Sequence, residues 1–284
     1  MSHRIDATET ALSVAHGAAS RAAHRAALPA LAIIAVAFGA SGCKKSEQEL
    51  APEASALAPA APAAAQATTF VIDAPSSQVR FQMDAELEKI AGRAPGSAEG
   101  ELFVDPKDVS KTTGLVKVDL LKLSIYQKKR ESADKEYGEE VKNEKQNGHM
   151  QTWFQISPDA PADVREANRF AELKIKNVRD VSANDVTKLS GAERKVTAYV
   201  IGDLRLHGRV SEHKLAVEVT FKFDGDKATG LVIKTTEPFG VSLEQHDVRP
   251  RQAFDQLADA TLETLGQKVN KVAQVSLEAS AKAK

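Results

Sequence analysis

The stretch Leu215-Ala216-Val217-Glu218-Val219-Thr220-Phe221-Lys222-Phe223 decides the fold. Leu215, Val217, Val219, Phe221 and Phe223 share one parity, while Ala216, Glu218, Thr220 and Lys222 take the other. That period-two alternation is the mark of a strand with one face buried and one wet. Asp224-Gly225 follows as a hairpin turn signal, and Leu231-Val232-Ile233 supplies the returning strand. Upstream, Val196 to His207 alternates through Val196, Ala198 and Val200 and then Leu204 and Leu206, before Gly208 permits a turn. Further strands are expected at Phe70 to Ile72 with Val79 to Met83, Glu101 to Val104, Leu115 to Leu123, Glu172 to Val178, and Val272 to Ala279. About eight short strands without alternating helices point to a mainly β fold, an antiparallel barrel or sandwich.

Two segments break the pattern. Phe254, Leu257, Ala258, Leu262 and Leu265 recur at helical spacing with Gly266 behind them, which predicts an amphipathic helix over 253–265. Gln127 to Gln146 is crowded with charge and reads as a solvated loop or an exposed helix. Its acids and bases interleave, which weighs against a patch for phospholipid or pyrophosphate headgroups.

The N-terminal part is of another kind. Arg21 and Arg25 precede an apolar run from Ala26 to Ala40, then Ser41, Gly42 and Cys43. A run of about fifteen residues is too short to span a bilayer as a helix and suits the core of an export signal. Ala40-Ser41-Gly42-Cys43 resembles a lipobox, with Ala40 where Leu is commoner, so residues 1–42 read as a signal peptide and Cys43, the sole cysteine, as the site of lipid attachment. The competing reading is an ordinary secretory signal beside an incidental cysteine. Two or more acyl chains on Cys43 would hold the protein stably in a membrane. Lys44 and Lys45, with no Asp after the cysteine, resemble lipoproteins sorted to the outer membrane. The expected location is therefore the cell envelope, on the periplasmic face of the outer membrane.

Residues 43–68 form the lipidated cysteine and an Ala/Pro-rich linker with Pro52, Pro59 and Pro62. Too few large apolar side chains are present to offset the entropy of ordering, so a disordered coil reaching roughly 25 Å, or roughly 70 Å if polyproline-like, is expected. Residues 69–284 are the folded domain.

The 38 Lys and Arg nearly balance 39 Asp and Glu, so composition offers no basic face for a phosphate backbone, and nucleic acid is not expected as a partner. One thiol can build neither an internal disulfide nor a zinc-finger type of cage.

Several blocks of the domain resemble the YceI-like family of bacterial envelope proteins. Phe70-Val71-Ile72-Asp73 with Ser77, Val79 and Phe81 is similar to its opening strand. Gly100-Glu101-Leu102-Phe103-Val104-Asp105-Pro106, with Asp108 and Ser110, is similar to its second block. Asn147-Gly148-His149-Met150 stands where that family has a polar helix. Gly202-Asp203-Leu204-Arg205-Leu206-His207-Gly208, followed by Phe239-Gly240-Val241, is the most specific match. Ser76 departs from the pattern, which usually has a histidine before the serine. The resemblance implies a single lipocalin-like barrel around an elongated apolar cavity that takes polyisoprenoid-type ligands.

Enzyme chemistry finds little support. His149, His207, His213 and His246 show no helical metal-ligand spacing, and no nucleophile elbow or phosphate-cradling glycine loop occurs. His207 beside Gly208 reads as a turn histidine. Glu244, His246 and Asp247 form one polar cluster, but sequence neighbours on a strand point to different faces. The expectation is a non-enzymatic carrier of a long apolar lipid, a polyisoprenoid or isoprenoid quinone, with no resident cofactor and no metal site. Its candidate cavity wall is Phe81, Met83, Leu204, Leu206, Val217, Val219 and Phe221. At about 0.3 kcal/mol per atom, a forty-carbon chain could contribute on the order of 12 kcal/mol before losses. The alternative is a structural or stress-protective envelope protein with a packed core. A homodimer is compatible with either.

Overall fold

The computed structural model describes residues 49–249 and 271–284. Cys43 and the helix expected over 253–265 lie outside the described residues. The elements are β1 (Thr68–Asp84), β2 (Glu88–Pro95), β3 (Ala98–Val104), β4 (Thr113–Asp119), β5 (Ser124–Lys129), β6 (Val141–Lys142), α1 (Glu144–Trp153), α2 (Ala162–Asn168), β7 (Phe170–Arg179), β8 (Glu193–Leu206), β9 (Arg209–Asp224), β10 (Lys227–Thr235), β11 (Phe239–Ser242) and β12 (Val272–Ala283).

Eight strands close a ring in the order β1-β3-β4-β7-β8-β9-β10-β12, with β12 pairing back onto β1, and every pairing is antiparallel. These are the eight strands that the alternation predicts. Three of the other four, β2, β5 and β11, are continuations of ring strands past a bend, and β6 pairs with β5 alone. β1 pairs with β3 over Thr68–Val71 and with β2 over Gln78–Asp84, so β2 and β3 run as one bent strand beside it. β4 and β5 repeat the arrangement against β3 and β2, and β10 and β11 repeat it against β12. The expected strand Leu115 to Leu123 is in fact split by such a bend, a 3-10 turn over Leu120–Lys122.

The bends divide the interior into two apolar cores. The upper one gathers Phe70, Leu102, Val104, Val196, Val217, Phe221 and Leu231 with their neighbours. The lower one gathers Ile125, Met150, Phe154, Ile156, Leu204, Leu206 and Val241. Below the bends β5 pairs with the short β6 instead of closing on β7, and α1 lies against the lower core through Met150. The charged stretch 127–146 is thus the end of β5, a loop, β6 and the first turn of α1, whose N-cap Asn143 accepts from the Gln146 backbone N–H at 3.1 Å. The block Asn147 to Met150 falls on that helix.

From residue 49 onward the Ala/Pro segment carries no helix, yet it does not hang free. Ala51 N–H donates to Gln245 O at 2.8 Å and Ala54 N–H to Gly208 O at 2.9 Å, while Val210 N–H donates to Pro52 O at 2.9 Å. Farther along, Leu57 N–H donates to Glu172 Oε2 at 2.8 Å and Thr113 Oγ1 to Ala61 O at 2.6 Å. Residues 51–61 are a strap on the outside of the barrel. Low hydrophobicity removes the burial that would order such a segment, but backbone hydrogen bonds to exposed strand ends and to a buried carboxylate supply another source of order.

Gly100 shows how tightly β3 meets β4. Its φ is +136°, and an ideal Cβ there would stand 2.0 Å from the Leu115 carbonyl oxygen. Gly100→Ala is expected to cost at least about 2 kcal/mol, because a strained backbone and a backbone clash combine. A denaturant melt checks this; an unchanged midpoint would contradict the close approach.

Candidate functional site

The upper core leaves a gap. An apolar cavity of about 80 Å³ is lined by inward residues of all eight ring strands, among them Ile72, Leu102, Val116, Ile175, Leu231 and Leu277, with Thr112 and Thr235 its only hydroxyl-bearing residues. Among the described residues no Lys, Arg, Asp or Glu lines it. Val200, Val219, Ile233 and Leu277 point inward by strand parity yet remain only half-buried, which marks where packing is incomplete. A void lined this way lacks the two to four polar partners that hold a water, so it is dry. Its volume is well under the 300–1,000 Å³ usual for a ligand pocket.

The structure distributes the seven sequence-derived wall residues between two places. Val217, Val219 and Phe221 line the cavity. Leu204 and Leu206 point inward from β8 but belong to the lower core. Phe81 packs against that core from the lower half of β1, facing Gly92 across the β1–β2 pair, and Met83 is buried two residues farther along. Sequence reasoning missed the contributions of β3, β4, β7, β10 and β12. Leu102, Val116, Ile175, Leu231 and Ala279 sit in the strands it found, and continuing the same inward parity around the ring would have reached them. A larger hollow, about 830 Å³, is a polar groove lined by Gln78, Arg80, Gln82, Asp84, Arg93 and Glu140 among others. Arg93 there is ion-paired with Glu140.

Histidines occupy the lower half. The β8–β9 hairpin turns through His207 (φ +49°) and Gly208 (φ +72°), a two-residue turn with both central residues left-handed. His207 Nε2 lies 3.0 Å from Gln155 Oε1 and its Nδ1 3.2 Å from His246 O, which suits a turn histidine. His246 is fully buried, and Ser211 Oγ stands between it and His213, 2.9 Å from His246 Nε2 and 2.8 Å from His213 Nε2. The neighbours of His246 turn elsewhere: Glu244 pairs with Lys271 at 3.0 Å and Asp247 with Arg249 at 2.8 Å. That separates the polar cluster noted in the sequence. Among the described residues no three His, Cys, Asp or Glu side chains converge as a metal cage.

Burial holds both His213 and His246 below the ordinary histidine value, with His246 acting on His213 and Arg209 on His246 as lesser causes. In the unfolded chain these rings take up protons as pH falls below about 6.5, whereas the folded chain keeps them neutral to lower pH. The unfolded state then binds more protons, so stability falls as pH drops through that window and levels off below the folded values. Thermal melts between pH 7.5 and 5 should show this loss, and His246→Gln should make the slope shallower. An unchanged slope would show that His246 is not the group responsible.

A family model described as the YceI-like domain matches residues 70–281. No curated protein matches the chain. Among solved structures, a polyisoprenoid binding domain from Saccharophagus degradans implicated in plant cell wall breakdown aligns with a TM-score of 0.47 and 11% identity, over 76% of this chain and 99% of that one. BcnA from Burkholderia cenocepacia aligns with a TM-score of 0.41 and 11% identity, over 74% of this chain and 98% of that one. With the matched span running from the first ring strand to the last, the chain belongs to the YceI-like domain family.

Proposed function

We propose that this protein is an envelope lipoprotein that carries a long apolar lipid, a polyisoprenoid or isoprenoid quinone, in the upper half of its barrel. The observation that carries the reading is the wall itself: inward side chains from all eight ring strands surround a dry gap with no charged group among the described residues on it. Such a surface gives an aqueous solute two threonines at most to bond to, but it welcomes a hydrocarbon chain. A chain of many carbons needs far more than about 80 Å³, so uptake requires the wall to part where Val200, Val219, Ile233 and Leu277 are incompletely packed. Catalysis has no comparable support, since the buried histidine cluster joins its rings to a serine and to backbone carbonyls. The small volume favours a second reading, a structural envelope protein whose core packs on itself.

Native mass spectrometry with organic extraction, on protein purified from a bacterial envelope, separates the two. A stoichiometric isoprenoid or quinone is the expected result, and protein that is empty and also refuses added isoprenoids would leave the structural role. The anchor is tested apart from the ligand. Cys43→Ser should move the protein from the membrane to the soluble fraction, and retention at the membrane would defeat the lipoprotein assignment.

A further inference from the structure

The hydrogen bonds around His246 have only one consistent direction. Its Nδ1 lies 3.2 Å from the carbonyl oxygens of Leu206 and of Arg209, and carbonyls only accept, so Nδ1 carries the hydrogen. The ring is neutral, being fully buried with no carboxylate bonded to it, so Nε2 presents a lone pair. Ser211 Oγ, 2.9 Å away, must donate its single hydrogen there. Having spent it, Ser211 can only accept from His213 Nε2 at 2.8 Å. That places the hydrogen of His213 on Nε2 and leaves its Nδ1 as a bare acceptor, with no hydrogen-bond partner among the described residues.

The location of that acceptor gives it a use. His213 is half-buried on the inward parity of β9, two residues from Leu215, which lines the cavity. Two residues along a strand is roughly 7 Å, about the length of a few carbon–carbon bonds. The His213 ring meets Phe239 edge-on, with centroids 5.8 Å apart, at the boundary of the two cores. A chain filling the upper barrel would therefore bring its lower end to the level where Thr235 ends the cavity wall and, just below it, His213 presents a fixed lone pair. A group that donates fits there. An ether, a carbonyl or a phosphate oxygen sets lone pair against lone pair, and among the described residues the cavity wall provides no cation to hold a phosphate.

We propose that His213 Nδ1 is a specificity-determining acceptor for the terminal hydroxyl of the bound lipid, so that the barrel prefers long-chain alcohols to their ethers, carbonyl counterparts and phosphates. This rests on the lipid-carrier reading and narrows it to a hydroxyl-ended isoprenoid over a quinone, and the test keeps the two apart. Geranylgeraniol and its methyl ether, which share one hydrocarbon, are compared on the full-length protein by displacement of a fluorescent apolar probe. The alcohol should bind about fivefold more tightly, the worth of one net hydrogen bond. His213→Phe should abolish that preference. Equal binding of the two by the unaltered protein, or a preference that survives in His213→Phe, would overturn the assignment and leave the carrier intact. Failure of both compounds to bind would overturn carrier and assignment together. Long-range nitrogen–hydrogen NMR correlations on the unaltered protein need no variant: the hydrogen is expected on Nε2 of His213 and Nδ1 of His246, and the opposite pattern at His213 rules the acceptor out.

Discussion

The barrel depends on one buried hydroxyl. Ser77, 3% exposed, sits where β1 shifts register between Asp73 and Gln78, and its Oγ donates to Ala74 O at 2.7 Å while accepting from Ala98 N–H at 3.1 Å. Its carbonyl takes the Gly96 N–H at 2.9 Å. One residue thus fixes the bend of β1 and the bend between β2 and β3 at the same level. Ser97, equally buried, passes the constraint on: its Oγ donates to Ala94 O at 2.7 Å and its carbonyl accepts from Asp119 N–H at 3.0 Å, where β4 ends. Three neighbouring strands bend together because backbone groups that leave the ladder there find partners in two serines rather than going unpaired. Without matched bends, these strands could not pair as a closed ring above and an opened sheet below.

That division sets what each half can hold. Above the bends every strand has a neighbour on both sides, so inward residues can meet only one another or a ligand. Below them, the places of missing pairings are taken by side chains from α1 and from the segment after β11, and polar groups enter with them. Ser211, His213 and His246 are there, and the cavity wall stops at Leu215 and Thr235 just above. A gradient from apolar to hydrogen-bonding along one interior therefore follows from where the sheet closes.

Much of this was legible. Alternation located all eight ring strands, since each presents one parity to a core and the other to water. The continuations were not legible for the same reason. Glu88-Lys89-Ile90-Ala91-Gly92-Arg93 in β2 has small residues at Ala91 and Gly92 where strand patterns want bulk, and the ring of Phe81 fills the space left by the missing Cβ of Gly92. The helix α2 was missed altogether, although Pro161 stands at its N-cap. Parity put Val217, Val219 and Phe221 inward, where the cavity lies, but parity holds no information about height, and Leu204 and Leu206 belong to the core below it. Distance along the barrel is set by the bends, and these rest on two serines that read as ordinary turn residues.

The strap shows the same limit from another side. Glu172 lies on the outward parity of β7 and is nevertheless 2% exposed. A carboxylate that far from water needs its charge answered. Lys117 Nζ at 3.3 Å, the Arg205 guanidinium at 4.0 Å and the Leu57 N–H at 2.8 Å answer it together, and Arg205 in turn donates to Ala54 O and to Ala167 O, each at 3.1 Å. The strap thus supplies both a donor to the acid and an acceptor for the base. Composition describes Ala51 to Ala61 as a chain with no reason to fold, and for the segment alone that is sound. Its order comes from the barrel, whose outer wall carries a buried ion pair that only a passing backbone completes.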